Sequence, residues 1–364
     1  MRILRDYILK DFFHSFTLSI VVFTFVLLVG NIIQLANLII NKGIDMISVL
    51  KLFLYLVPWL LAFTLPVAAL TGVILSFGRI SSDGELIAMK ASGISLYRIS
   101  TPIILIGIIF SFLAFFLNDQ ISPNASFASR RIIKEIGIKR PEAALEEGTF
   151  IRGFENYVIF IHEINGNKFR NIRVYQPQEG KPTRTIVAES GEINTTPEKN
   201  MVELRLYNGT SEEPSVTDPD TFYKLNFKTY SMSLDLTKII KKEKIDKKMR
   251  EMNMKELAAE IKKFINQKMD PRPVYVEIYK KINMSAASFV LILIGIPLGI
   301  KAHRSEKSIG FGISLVIFAV YWGAFLGGVA ASLQGAVSPF WGVTLPNIVF
   351  FMIGLGLFIQ AGRR

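Results

Sequence analysis

Few side chains in this sequence are arranged for bond-making chemistry. The three histidines, His14, His162 and His303, are too scattered to form a metal set or a catalytic triad. There is no cysteine, which removes disulfides, thiolate nucleophiles and zinc–cysteine sites. No G-x-x-x-x-G-K-S/T run offers a cradle for nucleotide phosphates. Ionisable residues deep inside apolar stretches would mark a proton or ion path. Only Asp119, at the end of one stretch, comes near that description, and the stretch interiors hold Ser, Thr, Asn and Gln. A proton-coupled carrier, an intramembrane hydrolase and a metalloenzyme all lack their equipment. The expectation is a chain with no catalytic residue, no metal and no cofactor of its own.

Recognition chemistry is better represented. Between two apolar stretches lies the polar segment 79–98, which reads Arg79-Ile80-Ser81-Ser82-Asp83-Gly84-Glu85-Leu86-Ile87-Ala88-Met89-Lys90 and then Ala91-Ser92-Gly93. Ser81, Ser82 or Asp83 offers an oxygen to the free amides of a helix start, and Gly93 suits its C-terminal stop. Leu86, Met89 and Lys90 recur at helical spacing, so one side can dock. Two readings are open. The helix lies on the bilayer surface, or it inserts into a groove of a cytosolic motor, with Asp83, Glu85, Leu86, Met89 and Lys90 forming the contact and Glu85 and Lys90 setting its register.

The elements that must hold this helix are apolar. Three stretches precede residue 122 (about 12–40, 48–77 and 99–120) and three come after residue 274 (about 275–300, 309–333 and 341–359). Each is long enough for a hydrocarbon core that needs about 20 helical residues. Hydrophobic content is 50%. Pro58 and Pro66 should kink the second stretch. The formal charge of +12 reads as basic loops and head-group contact rather than nucleic-acid binding. The N-terminus, the 79–98 and 301–307 loops and Arg363-Arg364 are basic, whereas 334–340 is uncharged. That bias puts both termini in the cytoplasm and the middle segment outside. The first stretch has no cleavage site and is read as a retained span.

Residues 123–275 change character. A helical connector (125–136) leads to β-like runs at 148–152, 157–163, 169–175, 185–192, 201–206, 222–227 and 231–236. Turn residues separate them, among them Glu179-Gly180-Lys181-Pro182, Thr196-Pro197 and Asn208-Gly209. Short strands at this spacing argue for an antiparallel sandwich or jelly roll. A further amphipathic helix is expected at 254–268. The fold class is therefore an α-helical polytopic membrane protein of six spans with an inserted β-jellyroll domain. Its parts are 1–122 (spans one to three with the 81–95 helix), 123–274 (the β domain with flanking helices) and 275–364 (spans four to six).

A chain of this layout suits movement of an amphiphile. An anionic lipid with several acyl chains needs apolar walls open to the bilayer and cations at head-group height. Phe16, Ile20, Phe23 and Leu27 line up on span one, and Leu315, Phe318, Trp322 and Phe325 on span five. Lys42 lies at the outer end of span one. Gly323 and Gly327 form a small-xxx-small pair that reads as a close helix contact.

The order Gly78-Arg79-Ile80, Glu85-Leu86-Ile87-Ala88-Met89-Lys90-Ala91-Ser92-Gly93-Ile94-Ser95 resembles the loop of the lipopolysaccharide-export permeases, the LptF/LptG (YjgP/YjgQ) family. A second stretch agrees: Ile296-Pro297-Leu298-Gly299, Arg304, Gly310-Phe311, Tyr321, Gly335, Pro339 and Leu345-Pro346-Asn347. The resemblance implies an inner-membrane permease subunit of an ABC transporter, paired with a paralogous permease and seated on a cytosolic ATPase dimer that hydrolyses the ATP. It further implies a periplasmic jelly roll that hands lipopolysaccharide to bridge proteins of the same fold, in service of outer-membrane biogenesis. Glu85 matches the family's docking glutamate and Lys42 its phosphate-holding basic residue, so the expected lipid contacts are Lys42, Phe23, Leu27, Phe318, Trp322 and Phe325. Rival readings are an ABC mechanotransmission subunit that moves no lipid, a passive envelope scaffold and a membrane enzyme. The mechanotransmitter pattern places its outer domain after the first span, whereas here that segment comes after the third.

Overall fold

A computed structural model describes residues 2–40, 44–139, 147–154, 157–165, 168–178, 181–196, 201–214, 222–235, 246–301 and 307–363. The chain divides into two compact units. One comprises Met1–Ile32, Phe53–Ala128 and Lys247–Arg364; the other comprises Ile33–Leu52 and Ser129–Asp246.

Among the described residues, six helices are long and apolar enough to cross a membrane. They are α1 (Arg2–Ile40), α2 (Met46–Ser82), α4 (Leu96–Phe116, the first part of a helical run that reaches Ile136), α7 (Arg272–Lys301), α8 (Lys307–Leu333) and α9 (Pro339–Arg363). The short α3 (Glu85–Ala91) joins α2 to α4. Helix α2 is continuous through Pro58 and Pro66. At the far end of α4 a π-helical turn, Leu117–Ile121, leads into α5 (Ser122–Lys139). The amphipathic α6 (Met254–Asn266) begins with a capping box between Asn253 and Glu256.

In the helical unit the centre belongs to α2 and α7. Their apolar windows are 83% and 72% buried, against 11% for α1 and 22% for α8. The central pair packs backbone to backbone. A Cβ on Gly299 would stand 2.9 Å from the Ile74 carbonyl oxygen, so glycine lets α7 touch the α2 backbone. Helices α8 and α9 meet in the same way, because a Cβ on Gly328 would fall on the Gly342 carbonyl. The small pair expected to make such a contact, Gly323 and Gly327, has no atom within 4 Å of either added Cβ. The contact sits one residue further along, about 100° round α8, at Gly328.

The other unit is built on a single six-stranded antiparallel sheet in sequential order: β1 (Phe150–Phe154), β2 (Tyr157–Asn165), β3 (Lys168–Gln178), β4 (Lys181–Thr196), β5 (Met201–Pro214) and β6 (Phe222–Asp235). No jelly-roll crossover occurs among these strands. Two layers arise by another route. In every pair from β2 to β6 the ladder passes over one row of residues: His162, Asn171, Glu189, Asn208 and Lys228. Asn171 and Asn208 take positive φ, 51° and 50°. Burial alternation shifts by one across that row: Ile186 and Ala188 are buried on one side of it in β4, and Ile193 on the other. Both partners skip the same position, so register is kept while the side-chain alternation changes phase in the five strands β2 to β6. Both halves then face one apolar cluster, which includes Ile161, Ile172 and Ile186 from one half and Phe169, Leu204 and Leu206 from the other.

This crease corrects the expected turn at Asn208-Gly209. The pair lies inside β5, which runs on to Pro214. Asparagine tolerates the left-handed backbone that the bend requires. A Cβ on Gly209 would meet the Phe227 ring at 2.5 Å, so glycine there serves packing rather than a hairpin. The runs expected separately at 222–227 and 231–236 are one strand, β6, for the same reason.

Candidate functional site

Helix α3 is the site candidate with the most defined chemistry. Its entry departs from the expected capping. Ser82 ends α2, with its hydroxyl donating to the Arg79 carbonyl at 3.0 Å, and Asp83 pairs with Arg79 at 3.4 Å. The position before α3 is Gly84 at φ 73°, with no side-chain cap. The exit is as expected. Gly93 has φ 81°, its N–H donates to the Lys90 carbonyl at 2.9 Å, and the Ile94 N–H donates to the Met89 carbonyl at 3.1 Å. That pair of bonds is the glycine-terminated helix stop.

The two faces of α3 differ sharply. Leu86 is buried at 4% exposure and Met89 packs against the same apolar cluster, which includes Ile8, Phe12, Phe77 and Phe358. Lys90 donates to the Ala361 carbonyl at 3.1 Å. The sequence-derived docking face is therefore spent on the protein's own helices. Ile87, which sequence reasoning left out, is 72% exposed on the other side. Its neighbours Ala88 and Ala91 are exposed too. The missed signal was Ile87-Ala88…Ala91, a small apolar patch out of phase with the larger one.

Glu85 is held from within. Tyr7 donates its hydroxyl toward the Glu85 carboxylate, 2.8 Å from each oxygen, and Arg79 stands 3.8 Å away. The Tyr7 oxygen accepts from Arg79 Nη2 at 3.0 Å. Arg79 Nε donates to Asp11 at 2.8 Å, and the Ser76 hydroxyl donates to the other Asp11 oxygen at 2.8 Å. Ser81 donates to the Ile300 carbonyl at 3.1 Å. The start of α1 and the ends of α2, α7 and α9 thus gather around α3. Tyr7 and Asp11 lie more than sixty residues from their partners in sequence, a separation that local periodicity does not reveal.

The expected lipid contacts are placed differently. Phe23 stacks on Phe311 of α8 with ring centres 5.3 Å apart. Leu27 is half-buried on α1. Phe318 and Trp322 pack edge-on against Phe63 of α2, at 5.5 and 4.7 Å. Phe325 is buried in a cluster with Val276 and Val343. The free space beside Phe63, Phe318 and Trp322 is about 10 Å³, room for roughly one water. These aromatics form a closed stack rather than an open wall. Outward from it, α1 bares Val21, Phe25, Val26 and Val29, and α8 bares Val316 and Val320. Lys42 lies outside the described residues.

A polar network unseen in the sequence fastens three helices. Tyr321 of α8 donates to Asn347 Oδ1 of α9 at 2.8 Å, and Asn347 Nδ2 donates to the Asn283 side-chain and backbone oxygens of α7, both at 2.9 Å. Asn283 in turn donates to Thr344 at 3.1 Å. All three principal members are at most 6% exposed. At the opposite end of the helical unit from α3, Lys281 is 6% exposed and donates to the Asn118 carbonyl in the π-turn at 2.6 Å. Asp119 accepts the Met254 amide at 2.7 Å, which ties the start of α6 to that turn.

Four apolar helices around a close-packed α2–α7 pair, with an inserted sheet and a two-faced connector helix, make the architecture of a polytopic membrane protein. The model of the family "Lipopolysaccharide export system permease LptF/LptG" matches residues 6–360, and the chain belongs to that family, whose members are multi-pass inner-membrane permeases. It is also similar to an uncharacterized protein, RP871, of Rickettsia prowazekii (strain Madrid E). That match is 22% identical over 205 residues, 56% of this chain and 57% of the relative. The chain thus spans little more than half the length of that relative.

Proposed function

We propose that this chain is a transmembrane permease subunit of an ABC exporter that extracts lipopolysaccharide from the inner membrane and passes it to a periplasmic bridge. ATP hydrolysis resides in a cytosolic ATPase dimer, and the chain contributes no catalytic group or cofactor. The observation that carries the coupling role is the two-sidedness of α3. Leu86 and Met89 anchor it inward while Ile87, Ala88 and Ala91 face outward, as an apolar helix face seated in a partner's groove requires. Arg79, Lys90, Arg98, Lys301 and Arg363 cluster at that end in the chain order, so it faces the cytoplasm. The sheet unit, inserted after α5, is then periplasmic, and its folded two-layer core stands in for the expected jelly roll in receiving acyl chains. The bare faces of α1 and α8 receive lipid and a paralogous permease. For acyl chains to enter beside Phe318 and Trp322, the aromatic stack with Phe63 parts. Lys42 supplies charge at head-group height.

Co-purification tests the reading. Ile87→Glu puts a charge on the exposed face without touching the core, and Glu85→Lys reverses the held carboxylate. Both should lose the ATPase subunit and lipid release while the permease stays folded. ATPase retention together with normal lipid release in both variants would refute the coupling role, and ATPase retention without lipid in the unmodified complex would favour a mechanotransmitter.

A further inference from the structure

The described polar ties from the side chains of α3 to the rest of the helical unit run two ways. Lys90 reaches the Ala361 carbonyl of α9. Glu85 reaches Tyr7 of α1 and Arg79 of α2. The first tie leads into a rigid block, because α7, α8 and α9 are locked by the Asn283–Asn347–Tyr321 network and by the Gly328–Gly342 approach. Buried, mutually satisfied networks of this kind resist rearrangement.

The second tie leads to α1, most of whose apolar length is exposed. Phe16 nevertheless packs on α2 at Gly72, where an added Cβ would stand 3.0 Å from the Phe16 backbone, and Phe23 stacks on Phe311 of α8. Ile8 and Phe12 hold the first turns of α1 at 1% and 0% exposure, whereas its apolar window is only 11% buried. Within the helical unit its stretch 2–32 forms a rod of about 46 Å at 1.5 Å per residue. A small displacement at the anchored base of such a rod becomes a large one at its far end. The base is held by the chain Glu85–Tyr7–Arg79–Asp11–Ser76, whose links are 2.8 to 3.0 Å long. Arg79 also lies over the Tyr7 ring, 5.6 Å from its centre. Arg79 and Glu85 are partly exposed, at 33% and 31%, whereas Asp11 is at 16% and Ser76 is buried. The outer links among Glu85, Tyr7 and Arg79 can therefore break and re-form at modest cost while Asp11 stays held to α2.

We propose that Tyr7, Arg79 and Asp11 are positioning residues that convert displacement of α3 into tilt of α1, while the α7–α9 block stays fixed as the frame. The inference rests on the docking role of α3 proposed above.

This chain has no native cysteine, so with cysteine-free partner subunits the test is made in the full permease–ATPase complex in lipid nanodiscs. Spin labels at Val26→Cys and Met352→Cys, both 60% exposed or more, report α1 against the frame. Labels at Ser92→Cys and Met352→Cys report α3 against it. A non-hydrolysable ATP analogue should shift both distances in the otherwise unmodified chain. Tyr7→Phe keeps the ring but removes the hydroxyl. It should leave ATPase retention and the α3 shift intact and cut the shifted population at α1 by at least about fivefold, the lower range of measured couplings. Arg79→Lys should act in the same direction. The relay is overturned by a full-sized α1 shift in both variants, by equal loss of both shifts, or by no α1 shift in the parent. Failure of the parent to retain any ATPase instead overturns the docking role, a separate result.

Discussion

Two polar clusters in the helical unit are made from opposite materials. The Asn283–Asn347–Tyr321 network is neutral and buried, with its members at 4%, 6% and 1% exposure. The Glu85–Tyr7–Arg79–Asp11 chain is ionic and sits at the rim, with Arg79 and Glu85 about a third exposed. A neutral amide pair avoids the cost of an unpaired charge in an apolar surrounding. Once closed, it has no competing water to exchange with. An ionic chain at the rim keeps water as an alternative partner, so its net worth is small and its geometry exchangeable. On the relay proposed above, the first arrangement holds the helices of the frame and the second lets its partners shift.

The largest test of that contrast targets the rigid side. Gly342→Leu leaves no room for the α8–α9 approach and should destabilise by about 1–3 kcal/mol or more, visible as a lower melting temperature in detergent. Asn347→Leu strands the Tyr321 hydroxyl and the Asn283 Oδ1. A loss of about 1–3 kcal/mol is expected, checked by the same melt, and an unchanged midpoint would mean the network does not lock the block. Tyr7→Phe, on the exchangeable side, should cost about 1 kcal/mol or less and alter coupling far more than melting.

The smallest effect lies outside both clusters, at α6. Burial raises the Glu256 pKa, but the Lys247 ammonium and the Asn253 amide outweigh it, so the carboxyl sits below its usual range. A depressed folded value gives stability that is present above the unfolded carboxylate pKa of about 4.3 and lost as pH falls through the folded value. Melting should therefore fall below about pH 4, and Lys247→Gln should flatten that acid slope.

Much of this architecture was legible in the chain. Six spans are dictated by apolar length alone, and Gly93 marks the end of α3 because few other residues accept its backbone angle. The inward face of α3 could not be assigned, since Leu86 and Met89 make an apolar stripe whether they meet the protein's own helices or a partner. Tyr7 and Asp11 sit in a segment that reads as a charged N-terminus, because nothing local points to Glu85 and Arg79. Asn208-Gly209 misled for a related reason: the dipeptide that tolerates left-handed backbone in a hairpin also tolerates it inside a strand. Lys281 lies four residues before Ser285 on the buried stripe of α7, a burial that a lysine next to Lys280 does not announce.

The crease in the sheet has a consequence for how this unit can change over time. Each of five neighbouring strands carries its spare residue at one level. Deleting a residue from any single strand would turn half of its side chains inside out while its neighbours stayed in phase. Insertions and deletions are therefore tolerable at the connections between strands, and the strands themselves can change length only as a set.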